Sequence, residues 1–235
     1  MSENGRAKAL LSWSSGKDSA WTLHVLRQRH GHELEVVGLL TTVNETHARV
    51  AMHAVRDTLL AAQAEAAGLP LWRVPIPHPS SNERYEAAMR EAVERGLREG
   101  ITVIAFGDLF LEDIRRYRED RLAGTGITPI FPLWQIPTDA LAREMLAGGL
   151  RARLTCVDPR QAPAALAGHE FDDTLLAELP ATVDPCGERG EFHTFAYAGP
   201  MFRWPIAVRP GEVVERDGFV FADLLPGDEE APGQN

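Results

Sequence analysis

Cysteine is nearly absent: Cys156 and Cys186 are the two in 235 residues, and they form no CxxC pair. That excludes a disulfide framework and a cysteine-based structural zinc site, and it leaves the Asn44-Glu45-Thr46 sequon without weight. Basic residues are also scarce, 24 Lys and Arg against 34 Asp and Glu, for a formal net charge of -10. This is the wrong sign for a protein that grips nucleic acid mainly through its phosphates. A small anion remains possible, because a few backbone N–H groups and one or two cations can outweigh the global charge locally. No stretch approaches the roughly 20 apolar residues that cross a bilayer, and Met1 to Lys8 is polar with no apolar leader behind it. The expectation is therefore a cytoplasmic chain without a membrane anchor. Internal repeats are lacking too. What is present is ordinary for a folded globular chain: 44% apolar, 25% charged and 7% aromatic residues, enough for one large domain or one domain with an annex.

Apolar and helical segments alternate through the first half. Ala7 to Trp13 reads as a strand, followed by a small-residue turn and a helical stretch from Asp18 to Arg29. Leu34 to Thr42 reads as a second strand, and Thr46 to Ala67, free of Pro and Gly, as a second helix. Leu71 to Val74 follows, then a helix opened by a Ser80/Glu83 capping box, with Tyr85, Ala88, Met89, Ala92, Val93 and Leu97 on one face. Thr102 to Phe106 is a buried type of strand that ends at Gly107-Asp108, with a charged helix from about Asp113 to Leu122 behind it. Past Gly124 prolines become frequent. A helix near Thr138 to Ala147, a strand at Arg151 to Val157 and hairpin strands at Pro205 to Arg209 and Phe219 to Leu225 are expected there. Strand–helix alternation implies an α/β fold with a doubly wound, mostly parallel sheet whose ligands bind at the C-terminal strand ends. A smaller C-terminal α+β substrate region follows it.

Ser14 to Ser19, SSGKDS, joins the first strand to the first helix, an arrangement in which free N–H groups and the positive helix end converge on an anion. Gly16 allows close approach, Ser14 and Ser19 offer hydroxyls and Lys17 a point charge. Asp18 is less expected beside an anion, unless it caps the helix or helps hold Mg²⁺. Neither GxxxxGK[ST] nor GxGxxG occurs, and local composition alone leaves a simple capped turn equally open.

The loop resembles the SGGxDS loop of the PP-loop ATP pyrophosphatases (HUP-type folds), with Ser15 in place of the first glycine. A second stretch, Cys186-Gly187-Glu188-Arg189-Gly190-Glu191-Phe192-His193-Thr194-Phe195, resembles the GENGEFHTF motif of the diphthine–ammonia ligase branch, with Arg189 in place of Asn. With Gly107-Asp108, Pro132-Leu133-Trp134 and Gly199-Pro200-Met201-Phe202, the resemblance runs from about Lys8 to Ile206. It implies a PP-loop ATP-binding domain at 1–125 and a C-terminal substrate and catalytic region at 126–225; the Pro-, Gly- and acid-rich composition of 226–235 reads as a disordered tail.

By the same resemblance, Ser14, Ser15, Gly16, Lys17, Asp18, Ser19, Gly107 and Asp108 would bind ATP, with Asp18 a Mg²⁺ ligand. Topology adds Thr41 and Thr42, at the end of the second strand, beneath the adenine. Glu188, Gly190, Glu191, His193 and Thr194 would form the substrate loop, and Asp18, Glu188, Glu191 and His193 the catalytic set. From the residues themselves, two acids and a His between glycines can bind ammonium, hold Mg²⁺ or move protons, or can simply be a solvated turn. The implied reaction is ATP-dependent: a carboxylate, on protein-bound diphthine or a small metabolite, is adenylated with release of pyrophosphate and then amidated by ammonia. Sulfur transfer to RNA and nucleotide sensing without turnover are the rivals; the acidic charge and missing CxxC disfavour the first. A homodimer is compatible with the sequence. Arg115, Arg116, Tyr117 and Arg118 are weaker contact candidates, His53 and Cys156 read as structural, and Cys186 is reactive only if its thiolate is stabilised.

Overall fold

The computed structural model describes residues 5–44, 49–50, 55–76 and 81–227. Ala7–Ser12 (β1), Lys17–Arg29 (α1), Leu34–Asn44 (β2), Arg49–Val50 (β3), Asp57–Ala67 (α2), Leu71–Ile76 (β4), Asn82–Arg98 (α3), Ile101–Ala105 (β5), Glu112–Leu122 (α4) and Thr128–Ile130 (β6) form the first layer system. Its parallel strands lie in the order β4, β2, β1, β5, β6, with β3 antiparallel to the end of β2. Each central strand is apolar on both faces. Leu11, Leu39 and Ala105 pack with α1 and α2 in one core, whereas Leu10, Leu40 and Ile104 pack with Val93 of α3 and Leu122 of α4 in a second. Helices on both faces are why these strands read as continuous apolar runs rather than alternating ones.

Thr138–Ala147 (α5), Arg151–Val157 (β7), Asp173–Glu178 (α6), Phe192–Ala198 (β8), Val208–Arg216 (β9) and Phe219–Pro226 (β10) complete the chain. The four strands form an antiparallel sheet in the order β8, β7, β10, β9. Its buried residues Leu154, Phe195, Ala196 and Val220 join the same core as those of α1 and α2. The expected α/β architecture with a smaller C-terminal α+β region is the one observed. Among the described residues, no helix is long and apolar enough to cross a membrane.

Several expected boundaries shift. The helix expected from Thr46 begins at Asp57, because Arg49–Val50 finds partners on β2 that local composition does not announce. His53 and Ser80 lie outside the described residues; α3 is capped instead by Ser81, whose Oγ accepts the Arg84 N–H at 3.4 Å. The first hairpin strand runs over Val208–Arg216 rather than Pro205 to Arg209. Its register follows from the Asp217-Gly218 turn, both residues at positive φ, which is the two-residue connection that suits strand twist. β2 continues to Asn44, so Thr41 and Thr42 sit within the strand, paired with Arg73 and Val74, and not at its end.

Candidate functional site

Neighbouring strands β1 and β5 lead in opposite directions through the sheet, which opens a crevice at their C-terminal ends. From β1 the chain turns through Trp13 to Gly16 into α1; from β5 it passes through Gly107-Asp108. A Cβ on Gly107 would lie 3.1 Å from the Asp18 carbonyl carbon and 3.2 Å from the Ser19 nitrogen, so glycine lets the two turns approach. A cavity of about 380 Å³ opens there, lined by Ser12, Ser14, Lys17, Asp18, Ser19, Gly107, Asp108 and Arg118 on one side and by Cys186, Gly187, Glu188, Gly190, Phe192, His193 and Thr194 on the other. The two stretches singled out in the sequence thus face one space.

Gly16 is the N-cap of α1 and, as a glycine, brings no side chain of its own to cap that helix end. Ser14 Oγ lies 3.2 Å from Ser19 Oγ and 3.4 Å from the Gly16 nitrogen. Ser15 adopts φ 70°, the left-handed region that glycine enters freely, so the loop keeps a glycine-type backbone with a serine in it. Its side chain is fully buried, and its hydroxyl has no hydrogen-bond partner among the described residues. Ser15→Gly is therefore expected to stabilise the protein by about 1 kcal/mol, relief of backbone strain and of a buried unpaired hydroxyl outweighing the extra unfolded-state entropy. Urea denaturation measures this directly, and an unchanged or lowered midpoint would contradict it.

The second wall is a tight loop. Asp184 Oδ1 accepts from the backbone N–H of Cys186 at 2.9 Å and of Glu188 at 3.3 Å, while Thr138 Oγ1 donates to Oδ2 at 2.7 Å. Glu191 is buried, and its two oxygens accept from the Asp184 and Arg189 N–H groups, each at 2.9 Å. Gly187 and Gly190 take φ 69° and 87°, and a Cβ on Gly187 would meet the Phe192 carbonyl at 2.8 Å. Glu191, expected in the catalytic set, ties the loop ends together with both oxygens on backbone donors and is not among the residues that line the cavity. Arg189 likewise stays out, its guanidinium 3.9 Å from Glu191.

Lys17 interlocks the walls. Its backbone N–H donates to Thr194 Oγ1 at 3.0 Å, and its ammonium donates to the Cys186 carbonyl and to both oxygens of Asp18 at 2.9 and 3.0 Å. The ammonium also lies 5.5 Å and 5.6 Å from the ring centres of Phe171 and Phe192. Burial alone would lower its pKa, but Asp18 chiefly, with Glu188 further off, more than offsets this and holds the ammonium charged. Lys17 is therefore not a free cation at the mouth of the loop but one already paired across the cavity.

Glu188 accepts the Leu109 N–H on Oε1 at 2.7 Å; burial, with Asp18 and Asp108 nearby, still raises its pKa to about 7. Burial, and then Lys17, lowers that of His193 to about 4, so the imidazole is neutral at physiological pH. The Cys186 thiol is pushed well above its ordinary range by burial, and its Sγ faces the Thr138 carbonyl at 3.4 Å, which makes it an inert core group. Cys156 is buried as well. Neither cysteine offers a ready thiolate.

A family model described as the diphthamide synthase N-terminal domain matches residues 7–125. The chain belongs to this family. Among its relatives are proteins named diphthine–ammonia ligase. That of Homo sapiens is 31% identical over 181 residues, covering 68% of this chain and 66% of its own length. That of Rattus norvegicus is 30% identical, covering 54% and 48%, and that of Schizosaccharomyces pombe 26%, covering 86% and 36%. The chain thus spans less than two thirds of the length of these relatives.

Within this diphthamide synthase family member the crevice brings together Ser14, Lys17, Asp18, Ser19, Gly107, Asp108, Glu188, Gly190, His193 and Thr194. Ser15 and Gly16 shape the loop from behind, and Thr41 and Thr42 are not among the cavity's lining residues. Asp18, expected as a cap or metal ligand, holds Lys17; among the described residues no cluster of three or more His, Cys, Asp or Glu forms a metal site of its own.

Three further residues belong to the site. Arg118 lines the cavity and forks onto Asp108, its guanidinium stacked 4.4 Å from the Phe106 ring centre. Asp184 lies two residues ahead of the Cys186 to Phe195 stretch and carries no outward mark of its role. Gln63 is fully buried on α2, takes the Trp13 indole N–H at 2.9 Å and donates to the carbonyls of Ser15 at 2.9 Å and Ala196 at 2.6 Å. Its signal was available, a lone amide on the Leu/Ala face of that helix, yet its partners are 48 and 133 residues away.

Proposed function

We propose that the chain is an ATP-dependent ligase that adenylates a carboxylate and amidates it with ammonia. The observation that carries this reading is the single cavity walled by the phosphate-type loop and by the Cys186 to Thr194 loop, pinned together through Lys17. The names of the relatives add ammonia as nucleophile and diphthine as acceptor, and a small metabolite carboxylate is the alternative acceptor. The phosphates would lie against the Gly16 to Ser19 turn, where first-turn amides and the helix dipole favour negative charge. Residues 1–125 would carry the nucleotide and 126–225 the acceptor and ammonia. Mg²⁺ would be held by Asp18 together with phosphate oxygens and would neutralise part of the charge on them.

An acceptor carboxylate oxygen attacks the α-phosphorus, the bond to the bridging oxygen breaks, and pyrophosphate leaves with that electron pair. Ammonia then attacks the acyl carbon and the carbon–oxygen bond to AMP breaks. The protons lost when ammonium becomes ammonia and when the amide forms need a base inside the cavity. Glu188, with its pKa near 7, is suited to that work, and neutral His193 can accept or donate a hydrogen bond beside it. Lys17 orients the Cys186 to Thr194 loop and balances the nearby carboxylates.

Incubation with α-labelled ATP, Mg²⁺, ammonium and a mixture of carboxylate acceptors is expected to yield AMP and pyrophosphate. Formation of ADP in their place would rule out adenylation.

A further inference from the structure

We infer that Gln63 is a positioning residue that aims the Gly16 N–H at the nucleotide phosphates by holding the Ser15–Gly16 peptide against a flip. The inference rests on the nucleotide reading above and extends it to a residue on α2 that lies outside the cavity.

A trans peptide places its C=O and N–H on opposite sides of one plane. The Ser15 carbonyl accepts two buried donors from two different elements, Gln63 Nε2 at 2.9 Å and the Ala196 N–H of β8 at 3.0 Å. With the carbonyl held to the rear, the Gly16 N–H must face forward, on the side of Ser14 Oγ, a hydroxyl of the cavity wall. That arrangement is not the relaxed one for a serine. Ser15 sits at φ 70°, a conformation that is strained for an L-residue and persists only when its surroundings over-determine it.

Gln63 supplies that surplus. It is itself immobilised: Trp13 Nε1 donates to its Oε1 at 2.9 Å, which fixes which end of the amide is the donor, and its Nε2 also reaches the Ala196 carbonyl at 2.6 Å. Without the amide donor, Ser15 is free to relax toward negative φ, and the accompanying change in its ψ re-orients the Ser15–Gly16 peptide, turning the carbonyl oxygen toward the site that phosphate oxygens would occupy. Two consequences follow that a merely structural glutamine would not produce. The loss falls on phosphate affinity alone, and a glycine at position 15, at ease at φ 70°, compensates for it.

The test is calorimetric titration of wild type, Gln63→Leu, Gln63→Glu and the Ser15→Gly/Gln63→Leu double variant with ATP–Mg²⁺ and with adenosine. Gln63→Leu is expected to weaken ATP at least tenfold while changing adenosine less than twofold, and the double variant to recover ATP binding to within about threefold of wild type. In Gln63→Glu the carboxylate repels both carbonyls, but a protonated carboxyl can donate once more. Its ATP affinity relative to wild type should therefore climb as pH falls. A folded Gln63→Leu protein that binds ATP within twofold of wild type overturns the inference, as does a double variant no better than the single one. Should Gln63→Leu not fold, Trp13→Phe loosens only the far end of the amide and is expected to weaken ATP about threefold; no change there has the same adverse meaning. Failure of wild type to bind ATP would sink the nucleotide reading itself and this inference with it.

Discussion

Glu188→Gln is expected to abolish most amide formation and, at the same time, to make the protein more stable at neutral and alkaline pH. The catalytic half follows from its place in the cavity and a pKa of about 7. A carboxyl acting as base works only when deprotonated, so the wild-type rate should rise as pH passes up through about 7 and level off above. General bases typically contribute a factor of 10² to 10⁴, so a loss of about 100-fold or more, with the pH limb gone, is the expected profile. The stability half follows from linkage. The folded state holds this proton more tightly than the unfolded chain, whose carboxyl titrates at its ordinary 4.5. Between about pH 4.5 and 7 the folded state therefore binds more protons, and stability falls as pH rises; above that window the charged, buried carboxylate costs about 3 kcal/mol. Glutamine keeps an acceptor for the Leu109 N–H without the charge. Denaturation at about pH 8 should show the variant more stable than wild type, with the difference vanishing below about pH 4.5. Equal stability at both pH values would mean that Glu188 is not held in a desolvated site. Undiminished amide formation would remove it from the proton path.

Lys17→Met should be the most damaging single change in the loop. It leaves Asp18 facing a cavity without its cation and removes the donor to the Cys186 carbonyl, so the two walls lose their bond. Breaking a buried pair by deleting one partner typically costs about 3–5 kcal/mol, most of it from the uncompensated charge. AMP formation should fall by a factor of about 10² or more, as expected when the loop that Lys17 orients is no longer held in register with the reacting groups. Lys17→Met/Asp18→Asn separates the two effects. With no charge left over, the double variant should recover much of the stability but none of the activity, as read by thermal melting and by release of AMP. A double variant that regains activity would show that Lys17 matters only for the balance of charge.

A large part of this protein is legible in its sequence. The alternation of apolar runs and uninterrupted helical stretches is enough for the doubly wound sheet, because strands buried on both faces must be apolar throughout. The SSGKDS turn and the GERGEFHTF stretch mark the two walls of the cavity because Gly, Lys and closely spaced acids are residue types that loops rarely carry for packing alone. Helix α5 and strand β7 appear at their expected bounds, since their signals are local. Roles are another matter. Glu188 and Glu191 look alike in sequence, three residues apart between glycines, and the fold gives them opposite duties: one faces the cavity with a raised pKa, and the other is buried beneath two backbone N–H groups. Lys17, a presumptive phosphate contact by composition, is already paired with Asp18 and the Cys186 carbonyl. Gln63 had no visible duty at all. A chain's local pattern determines which elements form and which loops can hold an anion. Which carboxyl is desolvated, which amide holds a strained peptide and how the two walls are joined depend on partners 48 to 169 residues distant, and only tertiary packing brings those together.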